Sequence, residues 1–221
     1  MKLFTSIFLT IILSSFCFAK EYATKNEIKQ IQQEYGGRSG ERLANWNKLM
    51  KSLKNKSTKI KARKIDQYFN QYIYKYDTIV ENNKTIRGGD YWRTFKNFIG
   101  QLGGDCDDFT LAKYYSLVKL GIPKDKLQIW LGSFKSKKLN HMVLAYFIDD
   151  SNDPLILDNN TKWAVKYSKR SNFKPWFYVN EYKYGAFKNN IQNAEYKSRP
   201  NTAASYFNKS FGDWLYRMSK E

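Results

Sequence analysis

The sequence of 221 residues is poor in cross-linking residues and in acidic side chains. It has two cysteines, one histidine and four prolines, and its 38 lysines and arginines outnumber its 20 aspartates and glutamates. No run beyond the N-terminus approaches the roughly 20 apolar residues of a membrane-spanning helix. These shortages exclude a disulfide-rich scaffold and stable membrane insertion. The net charge of +18 predicts attraction to anionic partners, such as nucleic acid, lipid headgroups, cell-wall polymers or an acidic protein.

The N-terminus has the pattern of a secretory signal peptide. Lys2 precedes an apolar run from Leu3 to about Phe18, and the small residue Ala19 follows. We predict that residues 1–19 are a signal peptide and that residues 20–221 form one domain exported to the periplasm. Export makes nucleic acid a poor candidate partner. Cleavage also removes Cys17, so Cys106 is the only thiol of the mature chain and cannot form an internal disulfide.

The hydrophobic pattern predicts helices first and strands later, an α+β domain. Helices are expected at residues 25–35, 39–55, from Ser57 or Thr58 through Tyr76, around 90–101, and at 107–120, where Gly121 and Pro123 end the helix. Residues 79–90 are expected to be a loop. Short β-branched and aromatic runs then predict an antiparallel sheet from strands at 127–134, 141–149, 154–159, 163–167 and 176–179. FGDWLYRM is expected to form a short closing helix, and the basic run from Lys48 to Lys64 to lie mainly on solvated helix faces.

Three residues have the order and setting of a nucleophilic site. Cys106 opens a helix, where the free N–H groups favour a thiolate. His141 begins one strand and Asp158 ends the next, so an antiparallel turn brings the carboxylate to the imidazole. The alternatives are a small inert core cysteine, a packing histidine and an aspartate in a turn. Together the three match the layout of papain-like thiol enzymes.

The segments around these residues resemble a known family. DYWRTFKNFIGQLGGDCDDF with its helix, then NHMVLAYF, then PLILDN, are similar to the bacterial transglutaminase-like cysteine peptidases, in particular the LapG-type periplasmic proteases that release biofilm adhesins. The resemblance implies a papain-like, transglutaminase-like fold, with Cys106 as nucleophile, His141 as base and Asp158 as the orienting carboxylate. It also implies cleavage of a large surface adhesin near its N-terminus, and control by an inner-membrane receptor for cyclic di-GMP.

The same resemblance implies calcium dependence, with Asp105 and Asp107 as ligands. Carboxylates beside a thiol oppose its ionisation, and a bound divalent cation would cancel that effect. Oxygen ligands favour calcium over zinc or copper. Further ligands are expected elsewhere, among them the segment from Glu81 to Asp90. The alternative is that the aspartates only cap the helix, a role left open for Asp108.

Two other functions fit the same residues. A transglutaminase or amidase acting on cell-wall peptides would use the same triad, because that triad serves acyl transfer to water or to an amine. A basic module that binds an anionic polymer, with Cys106 inert, would need no chemistry at all.

Overall fold

The structure, a computed structural model, describes residues 21–81, 84–87, 90–134, 139–149, 151–188, 191–192 and 203–220. The predicted signal peptide lies outside these residues and stays a prediction. The predicted α+β class is confirmed, because an N-terminal group of helices precedes an antiparallel sheet.

The helices follow the sequence pattern closely. They are α1 (Lys25–Tyr35), α2 (Ser39–Leu53), α3 (Thr58–Phe69), α4 (Phe95–Gly100), α5 (Cys106–Lys119) and α6 (Ala203–Met218). A capping box between Thr24 and Glu27 begins α1, and Gly36, with φ of 62°, ends it. The closing helix is longer than predicted, because α6 already begins at Ala203.

The strands number eleven in the described part of the chain. They are β1 (Ile73–Tyr74), β2 (Thr78–Glu81), β3 (Lys84–Arg87), β4 (Gly103–Gly104), β5 (Leu127–Phe134), β6 (Asn140–Tyr146), β7 (Leu155–Leu157), β8 (Val165–Lys166), β9 (Phe173–Val179), β10 (Tyr184–Lys188) and β11 (Ile191–Gln192). Seven of them form the main sheet, in the order β11-β10-β9-β5-β6-β7-β8, with every neighbouring pair antiparallel.

Two sequence predictions fail between α3 and α4. The third helix was expected to continue through Tyr76, but it ends at Phe69, and β1 instead pairs in parallel with β4. The predicted loop at 79–90 contains a β-hairpin, because β2 pairs antiparallel with β3. In both places pairing with another segment decides the backbone conformation, and the local hydrophobic pattern does not report that pairing.

Helix α5 lies at the centre of the domain, against β6 on one side and against α3 and α4 on the other. Nearly all of its side chains are buried, including Leu111 and Leu117. The sheet also buries part of its opposite face, where alternate strand residues form a second cluster around Trp130 and Tyr178. Helix α6 covers β9 and β10. This packing fixes the first turn of α5 against the beginning of β6.

Candidate active site

Two glycines place the start of α5 against strand β1. A Cβ on Gly103 would lie 2.0 Å from the carbonyl oxygen of Ile73, and the φ of Gly103 is 129°. A Cβ on Gly104 would lie 2.0 Å from Oδ2 of Asp108. Only glycine permits these approaches without a shift of the backbone. The residue that follows, Asp105, therefore enters α5 at a fixed point, with its N–H donating to Asp108 Oδ2 at 3.1 Å.

Cys106 and His141 line the same cleft. The Cys106 thiol is hydrogen-bonded by the backbone of Met142, the residue after His141. One turn into α5, the hydroxyl of Thr110 lies 2.8 Å from the Cys106 carbonyl oxygen and 3.1 Å from that of Met142. Thr110 thus fastens the helix to the strand beside the thiol. The sequence analysis did not identify this residue, because its partner is far away in the sequence.

His141 and Asp158 form a buried pair. His141 Nε2 lies 2.8 Å from Asp158 Oδ1, and each side chain is at most 4% exposed. β6 pairs with β7 so that Leu144 lies opposite Leu157. His141, near the beginning of β6, therefore lies beside Asp158, the residue that follows β7. Because a carboxylate accepts, Nε2 carries the proton and Nδ1 is the ring nitrogen left for the cleft.

Three further groups hold this pair. The N–H of Asn160 donates to Asp158 Oδ1 at 2.8 Å, and the buried guanidinium of Arg170 donates to Asp158 Oδ2. Phe134 stacks on the imidazole of His141 with ring centroids 4.6 Å apart. Burial alone would raise the pKa of Asp158, but the hydrogen bond from His141 and the charge of Arg170 hold it below the ordinary value. Arg170 is the main site residue that the sequence analysis missed.

The thiol itself is in an unfavourable setting for ionisation. Burial, and next the negative charge of Asp105, raise the pKa of Cys106 to about 12. The positive end of α5, which favours a thiolate, is outweighed by these two effects. A positive charge near the Asp105 carboxylate would therefore favour the reactive form of sulfur.

Asp105, Asp107 and Asp108 form an acidic cluster at the first turn of α5, with oxygen atoms within 4.8 Å of one another. Arg93 binds Asp108 twice. Its backbone N–H donates to Asp108 Oδ1 at 2.6 Å, and its guanidinium donates to Asp108 Oδ2. Burial, and then the charge of Asp108, raise the pKa of Asp107 well above its ordinary value. Oδ1 of Asp105 and Oδ1 of Asp107 are buried and have no hydrogen-bond partner among the described residues.

Further calcium ligands from residues 81–90 stay a prediction, because the side chains of residues 81–89 lie outside the described part of the structure. Asp90 lines the cleft and accepts a hydrogen bond from the indole of Trp92 at 3.0 Å. Within the described residues, the candidate cation ligands are therefore the three aspartates at the start of α5.

The cleft has a volume of about 1380 Å³, and its walls include six aromatic side chains as well as three aspartates. Tyr74 and Trp92 contribute from the segments before α5, Phe134 from β5, and Tyr206 and Phe207 from α6. Trp130 of β5 faces the opposite side of the sheet and packs in the second cluster. Such an open, aromatic-lined trough beside a thiol suits an extended polypeptide better than a small enclosed ligand.

Of the three residues predicted to be catalytic, Cys106 and His141 line one cleft and Asp158 is hydrogen-bonded to His141, while their roles remain a prediction. Known proteins provide independent comparisons. The profile described as "Bacterial transglutaminase-like cysteine proteinase BTLCP" matches residues 39–185. Two structures of Legionella pneumophila LapG, one calcium-bound and one EGTA-treated, are each 30% identical to the chain, with TM-scores of 0.70. They cover 87% and 90% of this chain and 98% and 100% of their own.

These similarities confirm the predicted transglutaminase-like fold. No curated protein sequence matches the chain at a significant level. Among the described residues, no helix has the length and apolar character needed to cross a membrane.

Proposed function

The chain belongs to the bacterial transglutaminase-like cysteine proteinases, and we propose that it is a periplasmic, calcium-dependent endopeptidase that cuts a large surface adhesin near its N-terminus. Control of biofilm attachment by an inner-membrane receptor for cyclic di-GMP is part of the proposal. The main support is the buried hydrogen bond between His141 and Asp158, at the same cleft as the lone thiol of Cys106. The similarity to LapG over most of both chains supports the choice of a protein substrate.

In the proposed reaction, Cys106 Sγ attacks the carbonyl carbon of the scissile peptide bond. Its proton passes to Nδ1 of His141, while Asp158 stabilises the imidazolium through Nε2. His141 then gives the proton to the leaving amine, and a thioester remains on sulfur. Water, deprotonated by His141, hydrolyses the thioester and restores the thiol. The N–H of Cys106, at the start of a helix, is the donor we assign to the oxyanion.

Asp105 and Asp107 fit a role as calcium ligands. Each has a buried oxygen without a hydrogen-bond partner in the described part of the chain, and hard oxygen ligands suit this ion. Bound calcium would supply positive charge next to the thiol. Asp108 is already compensated by Arg93, whose guanidinium also lies 2.9 Å from Asp77. The relative was solved in calcium-bound and EGTA-treated forms, which is consistent with this assignment.

The test is cleavage of a recombinant N-terminal adhesin fragment from the source bacterium. Wild type is expected to cut it, and Cys106→Ala and His141→Ala to lose the activity. An exposed change outside the cleft, Asp125→Asn, should leave cleavage intact. EGTA should abolish the wild-type activity, and calcium, but not magnesium, should restore it. Full cleavage by either triad variant contradicts the mechanism, whereas indifference to EGTA contradicts only the calcium assignment.

The alternative, an amidase or transglutaminase acting on cell-wall peptides, is tested in parallel with purified peptidoglycan. Mass analysis of soluble products distinguishes hydrolysis from transfer to an added amine. Release of wall peptides, without any cleavage of the adhesin fragment, would replace the proposed substrate and keep the triad.

A further inference from the structure

A second concave surface lies along the outer side of α3. Lys59, Arg63 and Gln67 of this helix, and Gln71 beyond its end, recur at four-residue spacing on one helix face. The opposite wall is formed by residues 148, 149, 153, 155, 159–166 and 169. Two hollows, of about 510 and 610 Å³, lie along it; Ala164 lines the first, and Trp163, the residue before it, lines the second. We call this surface the α3 groove.

The α3 groove adjoins the candidate active-site cleft. Asn160 lines both the cleft and the nearer hollow of the groove. The N–H of Asn160 also donates to Asp158 Oδ1, so the residue that the cleft and the groove share is hydrogen-bonded to a member of the proposed triad. The cleft and the groove therefore share one lining residue, and a polypeptide that leaves the cleft at Asn160 would next meet the groove.

The charge in the α3 groove is mainly positive. Its walls carry five cationic side chains against two carboxylates: Lys59, Arg63, Lys162, Lys166 and Lys169 against Asp149 and Asp153. Asp153 accepts hydrogen bonds from the N–H and the hydroxyl of Ser168 and lies 3.9 Å from Lys166 Nζ, so this pair compensates itself and leaves Lys59, Arg63, Lys162 and Lys169 against Asp149. At the end of the α3 groove near the cleft, Trp163 is 52% exposed. Contact with a bound partner would stabilise this large side chain by burying it.

We propose that the α3 groove is an exosite for an acidic stretch of the protein substrate, next to the residues held in the cleft. The proposal deepens the proposed function and rests on it. From residue 59 to residue 71 the helix face spans about 18 Å, which corresponds to about five residues of extended chain. The substrate would then be selected by glutamates and aspartates at a fixed distance from the scissile bond, in addition to the residues that occupy the cleft.

The charge complementarity favours an acidic peptide over neutral chains, and continuity with the cleft favours it over a lipid surface. Phosphate headgroups would also be attracted to lysines, but they would have no reason to lie next to Asn160. A membrane is therefore the rival outcome that the experiment must distinguish.

A binding measurement tests the exosite separately from catalysis. Fluorescent deca-glutamate is titrated into the full chain with Cys106→Ala, and its anisotropy is followed at low and high salt. The double reversal Lys59→Glu/Arg63→Glu should weaken binding at least about tenfold, or about 1.4 kcal/mol. The matched reversal Lys25→Glu/Lys29→Glu, on α1, which packs against α2 and α4 and does not line the groove, should change it less than about twofold.

A cleavage measurement links the exosite to the reaction. Two peptides share the scissile bond of the adhesin fragment and differ in a five-residue extension, which is acidic in one and neutral in the other. The ratio of kcat/KM for the acidic over the neutral peptide should fall about tenfold in the groove reversal and stay at the wild-type value in the α1 reversal.

Several results would overturn the exosite. They are absence of deca-glutamate binding, equal weakening by both reversals, or a groove reversal that abolishes binding to phosphatidylglycerol vesicles and leaves peptide binding unchanged. If neither peptide is cleaved by wild type, the proposed function fails, while the anisotropy titration still decides the exosite.

Discussion

Replacing Arg170 by methionine should destabilise the protein strongly, because it leaves a buried carboxylate without its cationic partner. The side chains of Arg170 and Asp158 are 6% and 0% exposed, and the guanidinium contacts Asp158 Oδ2. Methionine keeps most of the length and packing of arginine but donates no hydrogen bond. Removing one partner of a buried ion pair costs about 3–5 kcal/mol.

We expect the lower end of that range, about 3 kcal/mol, because His141 and the N–H of Asn160 still donate to Asp158 Oδ1. For a chain of this size, each kcal/mol corresponds to about 2–4 °C in Tm, so the expected fall is about 6–12 °C. The control is Arg38→Met. Arg38 forms an exposed pair with Glu41 that solvent screens, so its loss should leave Tm nearly unchanged.

The pH dependence has a definite sign. The pKa of Asp158 is held below its ordinary value of 3.8 in the folded protein, so its stabilisation is present above that value and is lost as pH falls through the folded pKa. Without Arg170 the folded pKa of Asp158 rises. The difference in unfolding free energy between wild type and Arg170→Met should therefore be largest at neutral pH. It should decrease as the pH is lowered. Urea unfolding at a series of pH values measures it. A loss under about 1 kcal/mol at neutral pH, or one that does not change with pH, refutes the reasoning.

Three further predictions concern the buried charges and the close contacts of the site. Lys113→Met should cost about 3–5 kcal/mol in urea unfolding, because the pair with Asp66 at 2.7 Å is fully buried, and adding Asp66→Asn should recover part of the loss. Gly104→Ala should cost about 1–3 kcal/mol or prevent folding, while Gly212→Ala, where a Cβ meets open space, should not destabilise; equal effects would contradict the packing argument. Calcium at about 100 times its Kd should raise the unfolding free energy by about 2.7 kcal/mol, and Asp107→Asn should remove most of that gain; a gain unchanged in the variant would exclude Asp107 as a ligand.

The local pattern of the sequence predicted much of the fold. Four helices, α1, α2, α3 and α5, begin within one residue of their predicted positions, because caps such as Thr24 and stops such as Gly36 and Gly121 act within a few residues of themselves. Strand β5 has the predicted bounds, 127–134. Where a distant partner decides, the pattern failed. β1 exists because it pairs with β4, where a continued helix was expected, and the hairpin of β2 and β3 replaces a predicted loop.

By itself, the sequence determined which chemistry is available. One cysteine outside the predicted signal peptide, one histidine and a cluster of aspartates at a helix start are properties of composition and spacing, and they make Cys106 and His141 the candidate nucleophile and base. Only the tertiary structure decided which charges and hydrogen bonds surround these groups and so shift their pKa values. The Arg170 contact with Asp158, the Arg93 contact with Asp108 and the junction of the cleft with the α3 groove all join segments that are far apart or unpatterned in the sequence. Electrostatic energies depend on distance and burial, and the packed chain alone sets both.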